Sequence, residues 1–200
     1  IYKGEDAVIL ALINAGDIQR AGYILSKGGV WMDENSKFSR TVFQYPDLIE
    51  SYLKIYPSSA YRSLSYFEDA RNVHVLTKFV ELDEPNSEGI DITAACIIDN
   101  CLPSVLSALI DLGAPMFSSH VEKSVQLDRA ALLQTLIAHS TSIPEVDKKY
   151  GLLYKAKSEE VARILIEHGA VVNRSCSDCS GNGLETPLTY HVRSGNEEIV

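Results

Sequence analysis

Positive charge is scarce, and its absence is local: between Lys78 and Lys123 there is no lysine or arginine at all. Over the 200 residues, 18 bases face 27 acids, a net charge of −9. A nucleic-acid backbone or an anionic bilayer repels such a chain, so neither is expected as its main ligand. Cysteine is equally sparse. Cys96, Cys101, Cys176 and Cys179 are the only four, too few to staple a small secreted scaffold, and a reducing cytoplasmic or nuclear setting is expected. Long apolar runs are missing too. The longest, Ala7 to Ile13, falls far short of the ~20 residues of a membrane span. Catalytic signatures are absent: no Gly-x-Ser-x-Gly elbow, no phosphate-binding glycine loop ending in Lys-Ser/Thr, no His-Glu-x-x-His. Ser180-Gly181-Asn182-Gly183 is a turn without the strand a dinucleotide loop requires. The five histidines are scattered. No enzyme activity and no cofactor are expected.

What the chain does have is self-similarity. Paired apolar residues end a succession of short helical segments, and Leu25, Leu53, Val80, Ile110, Ile137 and Ile166 recur at steps of 28, 27, 30, 27 and 29. Each unit reads as a short helix, a tight turn, a second helix and a break. In the sixth, Val161, Ile164, Leu165 and Ile166 form an apolar stripe, Ser158 stands at the capping position, and Gly169 supplies the left-handed stop. Gly29 and Gly113 stand at equivalent stops. Pro46 and Pro103 fall where a first-turn proline is tolerated. A lone hairpin of this size cannot bury its stripe, whereas a stack of them can. Strand signals are limited to Val30-Trp31-Met32 and Ala170-Val171-Val172-Asn173, the size of loop fingers. Loops are expected at about 30–37, 83–90, 114–118, 140–147 and 170–184.

The C-terminal residues carry a resemblance. Gly183-Leu184-Glu185-Thr186-Pro187-Leu188, followed by Gly195-Asn196-Glu197-Glu198-Ile199-Val200, resembles the first half of an ankyrin repeat. The stretch from Glu160 through Ile164-Leu165 to Gly169-Ala170-Val171-Val172-Asn173 resembles the second half. Ala15-Gly16-Asp17-Ile18 and Leu112-Gly113-Ala114 echo the same elements. Thr189 stands where the family usually has a histidine that braces neighbouring repeats, and the period is below the ~33 residues usual for ankyrin. The resemblance implies an all-α, ankyrin-type helical-hairpin solenoid of about six to seven repeats with reduced loop fingers; another helical-hairpin solenoid is the alternative. One domain, 1–200, is expected, with units at about 5–29, 36–57, 59–82, 89–113, 117–140, 147–169 and an incomplete 184–200. Because the chain opens without Met and stops inside a helical pattern, it is read as a fragment of a longer one.

In that family the first helices and the fingers form the recognition surface. The resemblance thus implies a monomeric scaffold that binds a protein or peptide through its concave face and inter-repeat loops. Its alternative is a substrate-positioning domain of a larger enzyme. Trp31 and Met32 lie at a finger position, and tryptophan is over-represented at binding hot spots. Asp83, Glu84, Glu88 and Asp91 make an acidic loop suited to a basic peptide; a solvated loop is the plain reading. Glu81, Asp83 and Glu84 also crowd a helix C-terminus, where the macrodipole disfavours negative charge. Five tyrosines cluster between Tyr45 and Tyr66, with Tyr52 and Tyr56 on a face that core packing explains. Cys176-Ser177-Asp178-Cys179 has the spacing of half a zinc knuckle, but the other half is missing, so no metal is expected. Cys96 and Cys101 are expected on a first helix among small apolar residues.

Overall fold

A computed structural model describes residues 5–27, 41–42, 44–55, 73–81, 91–139, 142–175, 185–196 and 199. Their regular structure is helical apart from an isolated bridge residue at Glu185. The chain divides into two compact units, Ile1–Ala114 and Pro115–Val200, parting in the expected 114–118 connection. The first unit contains α1 (Glu5–Asn14), α2 (Ile18–Ser26), α3 (Pro46–Ile55), α4 (Val73–Glu81), α5 (Ile92–Ile98) and α6 (Pro103–Asp111). The second contains α7 (Ser118–Gln126), α8 (Ala130–Ala138), α9 (Ile143–Tyr150), α10 (Leu152–Lys155), α11 (Glu159–Glu167) and α12 (Pro187–Ser194). None of the described helices is long and apolar enough to cross a membrane.

Burial refines the repeat register. Leu25, Tyr52, Phe79, Leu109, Leu136 and Leu165 are each 2% exposed or less, at steps of 27, 27, 30, 27 and 29. Each sits three or four residues after another buried group: Ala21, Leu48 with Ile49, Leu76, Val105 with Leu106, Leu132 with Leu133, and Val161 with Ala162. Adjacent helical positions diverge by about 100°, so at the edge of the stripe one of two neighbouring apolar residues faces inward and the other turns toward solvent. In the pairs Phe79-Val80, Leu109-Ile110, Leu136-Ile137 and Leu165-Ile166 it is the earlier one that is buried. Ile166, expected on the stripe, is therefore 47% exposed. Burying such a side chain is worth about 1.5–3 kcal/mol relative to leaving it in water. In the first unit α2, α3, α4 and α6 pack in a row, with α1 against α2 and α5 against α6. In the second, α7 packs on α8 and α8 on α11, while α10 lies against α7, α9, α11 and α12.

The helices end alike. In six of them a backbone N–H reaches back five residues to a carbonyl: Asp17 to Leu12, Cys101 to Cys96, Ala114 to Leu109, Arg129 to Ser124, Ala170 to Leu165 and Asn196 to His191. Such a closure places the residue before the donor in the left-handed region. Gly16, Gly113, Gly169 and Gly195 take it, as do Asn100 and Asp128 at φ 55° and 57°. Starts are equally regular. Asp17, Asp91, Ser158 and Thr186 accept from the backbone N–H three residues on.

Two expectations change. The segment 140–147 is not a loop throughout, because α9 already begins at Ile143. Ser142 precedes it, Pro144 occupies its tolerated first turn, and Ile143 and Val146 bury the apolar face. Left-handed Gly151 then breaks this helix from α10. The cysteines also differ. Cys96 lies on α5 but Cys101 follows the helix, and the two are joined as a disulfide. The closure of α5 folds the chain back and sets their side chains together, a contact invisible in linear spacing.

Candidate binding surface

Of the residues singled out in the sequence, Trp31, Met32, Asp83, Glu84 and Glu88 lie outside the described residues. Asp91 is described and sits in the core margin, 5% exposed, with Oδ1 accepting from Ala94 N–H at 2.8 Å. It caps α5. Glu81, at the unfavourable end of α4, is ion-paired to Lys78 at 2.5 Å, which offsets part of its repulsion from the helix carbonyls. Tyr52 is buried, as the core reading of the tyrosines expects. Cys176 and Cys179 lie outside the described residues. Among the described residues, no cluster of three or more His, Cys, Asp or Glu side chains is placed to hold a metal ion.

Among the described residues, the densest polar construction is in the second unit, centred on Asp147 of α9. It is only 2% exposed. One carboxylate oxygen accepts from Leu152 N–H at 2.8 Å and the other from Val171 N–H at 3.3 Å. Arg174 reaches back to the same helix, and its guanidinium donates to the carbonyls of Asp147 and Lys148. Those are helix C-terminal acceptors, which a planar cation with several donors suits well. The carboxylate of Asp147 stands 3.9 Å from the same guanidinium. One residue pair thus closes α9 and fixes the segment that follows α11.

A second group of contacts fixes the other end of that connection. The Tyr154 hydroxyl lies 2.6 Å from the Arg174 carbonyl and 2.5 Å from that of Glu185, sharing its single proton between them. Glu185 is ion-paired to Arg193 at 2.9 Å. Tyr190 stands edge-on to Tyr154, with centroids 5.7 Å apart. His191, 2% exposed, bonds through Nε2 to the Leu153 carbonyl at 2.7 Å. A carbonyl only accepts, so the proton sits on Nε2, and Nδ1 accepts from Asn196 at 3.1 Å. Thr189 answers Thr186: Thr186 N–H donates to its hydroxyl at 2.9 Å. In α7 a histidine does that work, with Phe117 N–H donating to His120 Nδ1 at 3.1 Å.

Chemically this network is committed. Both oxygens of Asp147, both ring nitrogens of His191 and the hydroxyl of Tyr154 are engaged with the chain itself. What it does is hold a loop still. That loop exposes apolar groups: Val171 is 49% and Val172 40% exposed, between the pinned Val171 N–H and Arg174. Phe117, 57% exposed, occupies the corresponding place before α7, between a second helix and the next first helix. Leu188 and Val192 lie exposed one turn apart on α12. The sequence marks Val171 and Val172 as a finger, but their selection as contact residues requires knowing that the loop is anchored. No family model, no curated protein and no solved structure matches the chain.

Proposed function

We propose that the chain is a protein-binding stack of the ankyrin type, which meets its partner through the segments between each second helix and the next first helix. One observation carries the reading. The loop after α11 is anchored by Asp147, Arg174 and Tyr154, yet it presents Val171 and Val172 to solvent. Apolar groups on a segment already ordered bind at a lower entropic cost than the same groups on a free loop. The recurring five-residue closures, the row of second helices within each unit, and the Thr186–Thr189 and Phe117–His120 caps support the ankyrin-type reading. Trp31, Met32, Asp83, Glu84 and Glu88 fall in the corresponding connections of the sequence, and in this proposal they too contribute contacts, to a partner with basic character at the acidic loop.

The test compares wild type with Val171→Asp/Val172→Asp and, separately, Asp83→Lys/Glu84→Lys/Glu88→Lys in capture from the source cell. Capture of the same protein by wild type and its loss by either variant, at unchanged helical circular dichroism, is the expected result. Equal capture by all three removes these loops from the interface. A concentration-dependent increase in mass without any captured protein would instead make the chain a self-associating spacer.

A further inference from the structure

Cys96 and Cys101 occupy the two ends of the turn that closes α5. Three other turns that join the helices of a pair, Leu12–Asp17, Ser124–Arg129 and His191–Asn196, have the same backbone closure without a covalent bond. The fold therefore brings these two side chains together before any sulfur chemistry takes place. In the last of these turns the paired side chains meet as a hydrogen bond, Asn196 to His191 at 3.1 Å.

A reduced pair would have polar partners at the same positions. Cys96 is fully buried at the position that Ser124 fills in α7, where the serine hydroxyl donates to the Val121 carbonyl at 2.7 Å. Cys101 Sγ lies 3.6 Å from the Leu102 carbonyl, an acceptor for a thiol proton. The turn itself is at the surface: Asn100 is exposed in the left-handed region, and Leu102 is 43% exposed. Opening of this turn, together with the last turn of α5 that carries Cys96, would bring both sulfurs within reach of solvent.

We propose that Cys96 and Cys101 form a reversible thiol–disulfide couple that sets how readily the α5–α6 turn opens, with the helices keeping their places in both states. The oxidant is a low-molecular-weight disulfide such as oxidised glutathione. One cysteine thiolate attacks it and releases one glutathione thiol. The second cysteine then attacks the mixed disulfide and releases the other, so two S–H bonds are replaced by one S–S and two electrons pass to glutathione. With Cys96 0% and Cys101 3% exposed, exchange waits on local opening of the turn.

The experiment takes the whole chain through dithiothreitol and then through oxidised glutathione in native buffer. Alkylation and peptide mapping separate Cys96 and Cys101 from Cys176 and Cys179, and amide exchange is followed over residues 92–102. The expected result is a Cys96–Cys101 crosslinked peptide that disappears and returns while the helical circular-dichroism signal stays constant. Exchange in 97–101 should be roughly thirtyfold faster in the reduced protein, the low end of disulfide effects for so short a loop. Cys96→Ser/Cys101→Ser should show the reduced exchange rate whatever the oxidant. Loss of helix on reduction of the wild type overturns the proposal, as does a crosslink that forms only in denaturant. Equal exchange in the two states overturns it as well. If the double variant alone fails to fold, the wild-type comparison still decides.

Discussion

His191 Nε2 donates to the carbonyl of Leu153, 38 residues earlier, across 2.7 Å in a fully enclosed setting. Removing the imidazole leaves a buried acceptor without a donor and a cavity beside α10. His191→Ala should cost about 2–4 kcal/mol. Asn196→Ala removes only the bond at Nδ1, from an exposed residue, and should cost about 1 kcal/mol or less. Urea midpoints followed by circular dichroism separate the two. Equal midpoints would mean that the Leu153 carbonyl finds another donor, such as a water.

Arg174 tests how the exposed valines are held. Its guanidinium serves two carbonyls of α9 at once, which a lysine ammonium on a flexible stem does poorly. Both Arg174→Lys and Arg174→Ala should therefore destabilise, by about 1 and about 2–3 kcal/mol respectively. The informative readout is local. Limited proteolysis should cut within 171–175 in Arg174→Ala at conditions that spare the wild type. Intact segments in both proteins would show that Tyr154 and Asp147 are enough to pin the loop.

Much of this fold is legible in the sequence, and the reason is periodicity. Ser158, Gly113, Gly169, Pro46 and Pro103 stand where helix starts and stops demand them, and the structure places each there. The facing of the stripe is harder. Leu165 and Ile166 are equally apolar, and the packing of α11 against α8 and α10 is what leaves Leu165 in and Ile166 out. The polar network is hidden for a different reason. Asp147 sits in Val146-Asp147-Lys148-Lys149, which reads as a solvated charge run, and its partners Val171 and Arg174 come 24 and 27 residues later. His191 is hidden for the same reason, because the Leu153 carbonyl it bonds lies 38 residues earlier.

Two glycines with the same backbone should respond differently to a methyl group. Gly113 and Gly169 both lie in the left-handed region, at φ 98° and 93°. A Cβ on Gly113 meets nothing within 4 Å, whereas on Gly169 it meets Pro144 Cγ at 3.1 Å. Gly113→Ala should cost about 1 kcal/mol, the strain of the conformation alone. Gly169→Ala carries that strain plus a clash with a rigid ring and should cost about 2–3 kcal/mol. Thermal unfolding of the pair checks the order, and a larger loss at Gly113 would contradict the packing of Pro144 against α11's closing turn.

Asp91 is where the acidic-loop reading and the fold intersect. Its carboxylate caps α5 through Ala94 N–H at 2.8 Å and is nearly closed to solvent. Asparagine caps about as well as aspartate, so Asp91→Asn should lie within about 0.5 kcal/mol of wild type. Asp91→Ala should lose about 1 kcal/mol, and Asp91→Lys at least as much, because a cation then faces the positive end of the helix. Any binding lost in Asp91→Lys is consequently mixed with a loss of structure. The clean comparison sets Asp83→Lys/Glu84→Lys/Glu88→Lys beside Asp91→Asn in titrations with an arginine-rich peptide. If the loop recruits a basic partner by charge, the triple variant should bind at least tenfold more weakly at low salt, and Asp91→Asn should bind like wild type. Weaker binding in Asp91→Asn alone would turn the interpretation around, making the cap's own charge, and not the loop's, the feature the peptide reads.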